Sequence, residues 1–344
     1  MSDIPSSTAF SRSLPRAIAF WYINTRPKSL PQSILPALLA VCFAARTEGF
    51  SMALALLAVL GVACGHLAAN LFDDYFDYLQ RRSDHRDHLR HEGFRARIGK
   101  CPYLTSGQAT PAQLHRIALG LALFALFLGG VIFHFRGIVI LCFAGATALL
   151  SLFYSGPPLR LSYRGLGEIA IGILFGPMNM LGVHYAASGE FSAPLALLSL
   201  PVGLLVMNIV YVHSIMDFIP DKKVGKRTLA VLLDNNTAML AVLFFILFFP
   251  YAVIGYGIRR GDIPSAYWAW VITLPMAAAL FRMMVDYVRR PERKFARRFW
   301  MGPMSAWRRV EALGIDWFLI RWFLARNLLV ALCLISMILS FVAP

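Results

Sequence analysis

Two groups of oxygen-bearing side chains stand at the ends of long apolar stretches. The first lies in ANLFDDYFDY, residues 69–78, and combines an amide with three carboxylates: Asn70, Asp73, Asp74 and Asp77. The second lies in DFIPDKK and contains Asp217 and Asp221. Positions i, i+4 and i+7 share one face of a helix. Each group therefore predicts an acidic stripe on a helix face.

Negative charge beside hydrocarbon needs a physical reason. One carboxylate inside a membrane helix costs about 2.5–3.5 kcal/mol on insertion scales. Several together repel one another or become protonated unless a cation neutralises them. Cysteine is absent from both groups and His213 is their only neighbouring histidine, so the donors are oxygens. Mg²⁺ suits such donors and typically takes one or two carboxylates plus substrate phosphates. The pattern therefore predicts a site in which the carboxylates bind Mg²⁺ and the bound Mg²⁺ in turn binds a diphosphate.

Basic residues accompany both acidic groups and extend this hypothesis. They precede the first apolar stretch or follow the second acidic group: Arg26, Lys28, Lys222, Lys226 and Arg227. Such cations predict an anion site at the membrane boundary. A diphosphate bound there, with its tail among apolar helices, describes a polyprenyl diphosphate. One Asp pair at a helix end is usually just solvated, but two groups on one membrane face favour the functional interpretation.

Composition indicates the class of protein. The chain has 344 residues, of which 58% are hydrophobic and 15% charged, against roughly 25% charged residues in soluble domains. A spanning helix needs about 20 apolar residues. We predict an all-α polytopic membrane protein with about nine transmembrane helices, at 29–45, 51–72, 112–134, 137–155, 166–187, 193–215, 237–257, 264–285 and 323–342.

The charge distribution predicts orientation. All but four of the 33 Lys and Arg residues fall on one side of these segments, the exceptions being Arg46, Arg136, Arg259 and Arg260. Positive charge accumulates on the cytoplasmic side. We expect a multi-pass protein of the cell inner membrane, with the N-terminus cytoplasmic and the C-terminus extracytoplasmic. The net charge of +15 is then a topology signal with attraction to membrane lipid, and nucleic acid is not an expected partner.

The cysteines and the ends of the chain add little. Five scattered cysteines suit small hydrophobic residues in helices rather than disulfides or a metal cluster. We expect no cleavable signal peptide. Two long cytoplasmic loops are predicted at 79–111 and 286–322. In the second, arginines alternate with Phe295, Phe299, Trp300 and Trp307, which describes either an amphipathic segment on the inner leaflet or a solvated basic loop.

Three motifs carry a resemblance to a known family. NLFDDYFD, then YSGPPLRLSYRGLGE at 154–168, then DFIPDKKVGKRTLA at 217–230 resemble the UbiA superfamily of intramembrane prenyltransferases. The resemblance runs from about Trp21 to Leu233 and is weaker beyond. Within the superfamily the chain is most similar to the 1,4-dihydroxy-2-naphthoate polyprenyltransferases of menaquinone biosynthesis. It departs from that branch at Asp73, where Asn is common, and at His213–Met216, where two Asn and an Arg are usual.

The resemblance implies a single domain over 1–344, with a central cavity open to lipid. It implies Mg²⁺ ligands at Asn70, Asp73, Asp74, Asp77, Asp217 and Asp221, with Asp74, Asp77, Asp217 and Asp221 as the catalytic carboxylates. It further implies transfer of a prenyl group from a polyprenyl diphosphate to an aromatic acceptor. The expected substrate-pocket residues are Asn70, Tyr154, Tyr163, Glu168 and His213.

Several roles stay open at the level of sequence. Tyr75, Tyr154 and Tyr163 are either rings that stabilise an allylic cation or an interfacial belt. Glu168 either orients the acceptor or pairs with Arg164 at i, i+4, and the ion pair is favoured. His213 lies on the face of Asp217 and is a better candidate for contacting a ligand than His66.

Other functions compete with this one. A cation transporter also carries membrane carboxylates, but its sites usually lie near the midplane at broken helices, whereas these lie at helix ends beside basic residues. A lipid-binding scaffold has no use for two acidic stripes. Within the enzyme class, the alternative acceptors are homogentisate, 4-hydroxybenzoate, a tetrapyrrole and haem.

Overall fold

The computed structural model describes residues 14–80, 101–290 and 293–342. Within these ranges the chain is helical and forms no strand. The helices are α1 Leu14–Asn24, α2 Pro31–Ala44, α3 Met52–Leu79, α4 Pro102–Thr105, α5 Pro111–Arg136, α6 Ile138–Ser155, α7 Gly167–Ile173, α8 Asn179–Ser188, α9 Ala193–Met216, α10 Phe218–Lys223, α11 Leu229–Leu233, α12 Asn236–Arg260, α13 Leu274–Arg289, α14 Trp307–Ala312 and α15 Asp316–Val342.

All nine predicted segments are helical, and eight of the helical segments in the described ranges are long and apolar enough to cross a membrane. This confirms the all-α polytopic fold. The exception is α2, which has 14 residues and is about 21 Å long at 1.5 Å per residue, against a hydrocarbon core of about 30 Å. A 3₁₀ turn at Pro27–Ser29 precedes it, and Pro31 fixes its first turn. The first predicted segment is therefore a short helix.

Helix α9 is the centre of the bundle. It packs against α7, α12 and α15, and most of its side chains are buried. Small residues allow the closest of these contacts, because a Cβ on Gly203 would lie 2.6 Å from the carbonyl oxygen of Gly172. Between α7 and α8 a π-helical turn at Leu174–Met178 accommodates Pro177. This turn carries Asn179 to the inner side of the bundle.

The structure describes parts of both predicted long loops. Residues 81–100 of the first loop lie outside the described residues, but its end forms α4, which buries Tyr103 and Leu104. The second loop is limited to 290–315, because α13 and α15 extend to Arg289 and from Asp316. Its aromatic residues divide into two pairs: Phe295 and Trp307 pack on the core, whereas Phe299 and Trp300 are 95% and 39% exposed.

Buried polar side chains of α15 fix the second loop. The Asn327 amide donates to the carbonyls of Met301 and Pro303, at 2.7 and 3.1 Å. The Arg326 guanidinium also donates to Pro303, at 2.9 Å. Arg321, which is fully buried, lies 5.4 Å from the ring of Phe295. The loop is therefore held against the end of α15 near the cavity described below.

The contact between α9 and α7 can be tested with one methyl group. We expect Gly203→Ala to lower the thermal stability of the detergent-purified protein, because its Cβ meets backbone that must shift, at a typical cost of about 1–3 kcal/mol. Gly130→Ala on α5 is the matched control, since nothing lies within 4 Å of its Cβ position. Equal melting temperatures for the two variants, measured by intrinsic fluorescence, would contradict the close approach.

Candidate active site

A cavity of about 710 Å³ runs into the bundle from the end where both acidic stripes lie. Its wall comes from α2, α3, α5 to α10 and α15. The mouth is polar and carries both signs of charge, whereas the interior is mainly apolar, with residues such as Leu57, Val62, Leu126, Phe143, Ile171 and Phe175. The cavity can therefore take a ligand with an ionic head and a hydrocarbon tail.

The stripe on α3 meets the cavity through Asn70 and Asp73. The Asn70 amide donates to the Thr25 carbonyl and to Ser29 Oγ, both at 3.0 Å. Asp73 Oδ1 accepts from the Ser155 hydroxyl at 2.6 Å. Asp74 and Asp77 are buried on the same helix end but are not part of the wall that the described residues form. We expected Asn70, Asp74 and Asp77 to face the ligand, but in the described wall the residues of this stripe that face the cavity are Asn70 and Asp73.

Arg26 pairs with two carboxylates of this stripe. Its Nη2 lies 3.1 Å from Asp74 Oδ1 and 3.5 Å from Asp73 Oδ2, and donates to the Asn70 carbonyl at 2.6 Å. Burial lowers the pKa of Arg26, but the negative charges of Asp74 and Asp73 outweigh burial, and the net pKa is raised above its ordinary value. The guanidinium is therefore a permanent positive charge at the cavity wall.

Tyr103 of α4 supports Asp74 from the other side. Its hydroxyl donates to Asp74 Oδ2 at 3.0 Å. Burial raises the pKa of Tyr103, and the charge of Asp74 raises it further. The hydroxyl consequently stays protonated and acts as a donor. Asp74 is therefore held between a cation and a neutral donor.

The second stripe, Asp217 and Asp221, lies on the wall of the same cavity. Both carboxylates are buried, Asp217 between α9 and α10 and Asp221 within α10. Among the described residues, no three His, Cys, Asp or Glu side chains lie close enough to hold a metal ion by themselves. The oxygen donors of the two stripes fit Mg²⁺ that keeps water and phosphate oxygens beside one or two carboxylates.

The predicted basic residues separate into two groups. Arg26, Lys28 and Lys226 line the cavity, and Lys226 Nζ lies 5.6 Å from the ring centre of Tyr163. Lys222, in contrast, pairs with exposed Asp234 at 2.7 Å and lies outside the wall formed by the described residues. Arg227 is exposed and also lies outside it. Of the five predicted cations, three therefore line the described cavity wall and two do not.

Three of the predicted pocket residues line the cavity with Asn70: Tyr154, Glu168 and His213. Tyr163 is buried behind the described part of the wall. Tyr75 packs on His115, with ring centres 4.9 Å apart. Of the three tyrosines that the sequence singled out, Tyr154 is the one that lines the described wall.

The favoured ion pair between Glu168 and Arg164 is wrong. Glu168 is 2% exposed and accepts hydrogen bonds from the Ser214 hydroxyl at 2.5 Å and the Leu229 amide at 3.1 Å. Arg164 points to solvent and donates to the Pro158 carbonyl at 3.4 Å. Spacing at i, i+4 was misleading here because Glu168 starts α7 whereas Arg164 precedes the helix.

Sequence reasoning missed two contributors. Trp322 of α15 lines the cavity, and its ring is nearly parallel to that of His213, at 16° and 6.1 Å between centres. No motif marks it. Ser155, which holds Asp73, stands in the YSGPP motif that sequence analysis used only as a family signal.

His66 also lines the cavity, and both its ring nitrogens are occupied. Nε2 lies 3.1 Å from Ser29 Oγ, and Nδ1 lies 2.7 Å from Ser33 Oγ. This arrangement agrees with the preference for His213 over His66 as a ligand contact.

The fold and the cavity together define a class: a polytopic helical membrane protein whose intramembrane cavity has a charged mouth and an apolar interior. The chain belongs to the UbiA prenyltransferase family, whose model matches residues 33–307.

Named relatives and a solved structure agree with this assignment. The chain is 28% identical over 216 residues to the 1,4-dihydroxy-2-naphthoate octaprenyltransferase of Bacillus subtilis, covering 62% of this chain and 66% of that protein. It thus spans slightly less than two thirds of that relative. The Mycobacterium tuberculosis protein of the same name is 27% identical over 252 residues, with 70% and 82% covered. A UbiA homolog from Archaeoglobus fulgidus bound to GPP and Mg²⁺ has the same fold, with a TM-score of 0.54, 14% identity and 90% and 99% of the two chains covered.

Two lysines of one basic run provide a matched test of the mouth. We expect Lys226→Ala to weaken binding of a prenyl diphosphate about tenfold or more, since a hydrogen bond to a charged group contributes about 1.5–3 kcal/mol. Lys222→Ala should leave affinity within about twofold, because an exposed ion pair contributes about 1 kcal/mol or less and lies away from the cavity. The affinity of each variant is measured from the rise in melting temperature as geranyl diphosphate is added in the presence of Mg²⁺. Equal affinities would show that Lys226 does not contact the anion.

Proposed function

We propose that this protein transfers a polyprenyl group from a polyprenyl diphosphate to an aromatic acceptor, with 1,4-dihydroxy-2-naphthoate as the acceptor, in menaquinone biosynthesis. The observation that carries the proposal is one cavity that joins two acidic stripes and three cations to an apolar interior. The names of the Bacillus subtilis and Mycobacterium tuberculosis relatives support the choice of acceptor.

The mouth would bind the diphosphate. Arg26, Lys28 and Lys226 supply positive charge, and the carboxylates of both stripes would hold Mg²⁺, as the ligands of the Archaeoglobus fulgidus homolog suggest. The metal site would draw on Asn70, Asp73, Asp74, Asp77, Asp217 and Asp221. When bound, Mg²⁺ would neutralise the charge that develops on the leaving diphosphate.

The interior would hold the prenyl chain and exclude water. As the allylic C–O bond breaks, the ring face of Tyr154 would stabilise positive charge on the prenyl carbon. The acceptor ring would lie at the junction of the polar and apolar zones, where Glu168, His213 and Trp322 line the wall. These residues would orient the ring carbon toward the prenyl carbon, which converts a bimolecular step into a positioned one.

The setting completes the proposal. The chain would act as one transmembrane domain over 1–344 in the inner membrane, with the acidic stripes and the N-terminus on the cytoplasmic side. Polyprenyl diphosphate, the aromatic acceptor and membrane lipid would be its partners.

Product formation tests this function directly. Detergent-purified protein is incubated with Mg²⁺, a polyprenyl diphosphate and a panel of acceptors that includes homogentisate and 4-hydroxybenzoate, and products are identified by mass. We expect the prenylated, decarboxylated naphthoquinol as the main product and none without Mg²⁺. If the protein prefers another acceptor, that acceptor takes the place of the naphthoate in the proposal. If no acceptor is prenylated, the proposed function is refuted. Ion flux in proteoliposomes without allylic diphosphate would favour a transporter.

One carboxylate should separate chemistry from folding. We expect Asp217→Ala to reduce turnover at least 100-fold, because the diphosphate would lose part of its metal support, which typically contributes several kcal/mol to the transition state. Asp234→Ala is the control, since that carboxylate is exposed and pairs with Lys222. Wild-type turnover in Asp217→Ala would refute the role of the second stripe.

A further inference from the structure

Glu168 is a buried carboxylate at the cavity wall that diphosphate binding leaves unused. It is placed by the first turn of α7 and is 2% exposed. The hydrogen bonds from the Ser214 hydroxyl and the Leu229 amide both end on Oε1, and the residue's own backbone N–H also donates to the carboxylate. Oε2 receives no side-chain hydrogen bond from the described residues. Oε1 is therefore held from two different helices, and Glu168 itself lines the cavity.

The surroundings suit a carboxylate that exchanges a proton. Among the described residues, the charged and titratable groups near Glu168 include Lys226 after α10, Tyr154 of α6 and Tyr211 of α9. Two donors on Oε1 stabilise the ionised form, while burial opposes it. A carboxylate under such opposing influences can accept and return a proton within one turnover.

We propose that Glu168 Oε2 is the proton acceptor for the ring hydroxyl of the aromatic substrate, next to the carbon that bears the carboxylate. The proposal rests on the proposed function. The O–H bond breaks, its proton goes to Glu168, and its electron pair forms the C=O bond. A ring π pair forms the bond to the prenyl carbon, whose C–O bond breaks and leaves its pair on the diphosphate.

The same residue then returns the proton. The intermediate is a β-keto acid. The bond between its prenylated ring carbon and the carboxylate carbon breaks, and CO₂ is released. The electron pair passes through the ring to the oxygen, which takes the proton back from Glu168. The carboxylate of Glu168 is thereby regenerated, and the reaction needs no further proton donor. This chemistry asks for an acceptor with adjacent hydroxyl and carboxylate groups.

The test compares Glu168→Gln with Glu190→Gln, which changes an exposed glutamate just after the end of α8. The amide introduced by Glu168→Gln would keep an oxygen for Ser214 and Leu229 but could not accept a proton. We expect kcat to fall about 10²–10⁴-fold, the usual contribution of a general base, with the KM for the acceptor within about threefold. Stabilisation by geranyl diphosphate with Mg²⁺ should be unchanged, and Glu190→Gln should match wild type.

Two further readouts distinguish proton transfer from a structural role. The rate of Glu168→Gln should rise with pH as the acceptor hydroxyl ionises in solution, whereas the wild-type rate levels off. Glu168→Asp keeps a base and should recover at least about tenfold in kcat over the Glu168→Gln variant, and it provides the pH profile if Glu168→Gln folds poorly. A kcat near wild type for Glu168→Gln, equal losses for the two variants, or loss of diphosphate binding would each overturn the proposal. Inactive wild type with every acceptor would instead remove the proposed function.

Discussion

Charge compensation at the boundary between hydrocarbon and water is the constraint on which this structure depends. Carboxylates cannot gather at the end of an apolar bundle unless cations or donors accompany them. Here Arg26 contacts Asp73 and Asp74, while the Tyr103 hydroxyl completes the surroundings of Asp74. Arg26, which pairs with this stripe in the absence of a ligand, is also one of the cations that would bind the diphosphate. A diphosphate with its metal would therefore redistribute an existing balance of charge.

Hydropathy predicts the helices well because each span must satisfy its own backbone and cover about 30 Å of hydrocarbon. All nine predicted segments are helical. The shortness of α2 and the π turn at Leu174–Met178 were not predicted. Both depend on where prolines stand relative to neighbouring helices, and hydropathy does not record that. Four predicted spans separate the two acidic groups, and this even number predicts that both lie at one end of the bundle. The cavity joins them there.

Spacing along the chain was less reliable for individual side chains. Lys222 and Lys226 belong to one basic run, yet only Lys226 lines the cavity, because α10 ends between them and the backbone turns at Gly225. Glu168 has partners 46 and 61 positions away rather than a basic residue one turn before it. Trp322 comes from the last helix and carries no local signal. Contacts between distant segments decide these positions, and a helical wheel describes only one segment.

A chain of hydrogen bonds connects the charged mouth to the interior and suggests why the site can be rigid. It runs from Arg26 through Asn70, Ser29, His66 and Ser33 to Asn179. Each of these hydrogen bonds joins two different parts of the fold. The parts are the segment before α2, helices α2 and α3, and the start of α8. Preorganised polar groups stabilise developing charge without first having to reorient. The positions of Asn70 and Arg26 are therefore set from the interior of the bundle as well as from its surface, so the apolar helices contribute to the charged site by fixing its geometry.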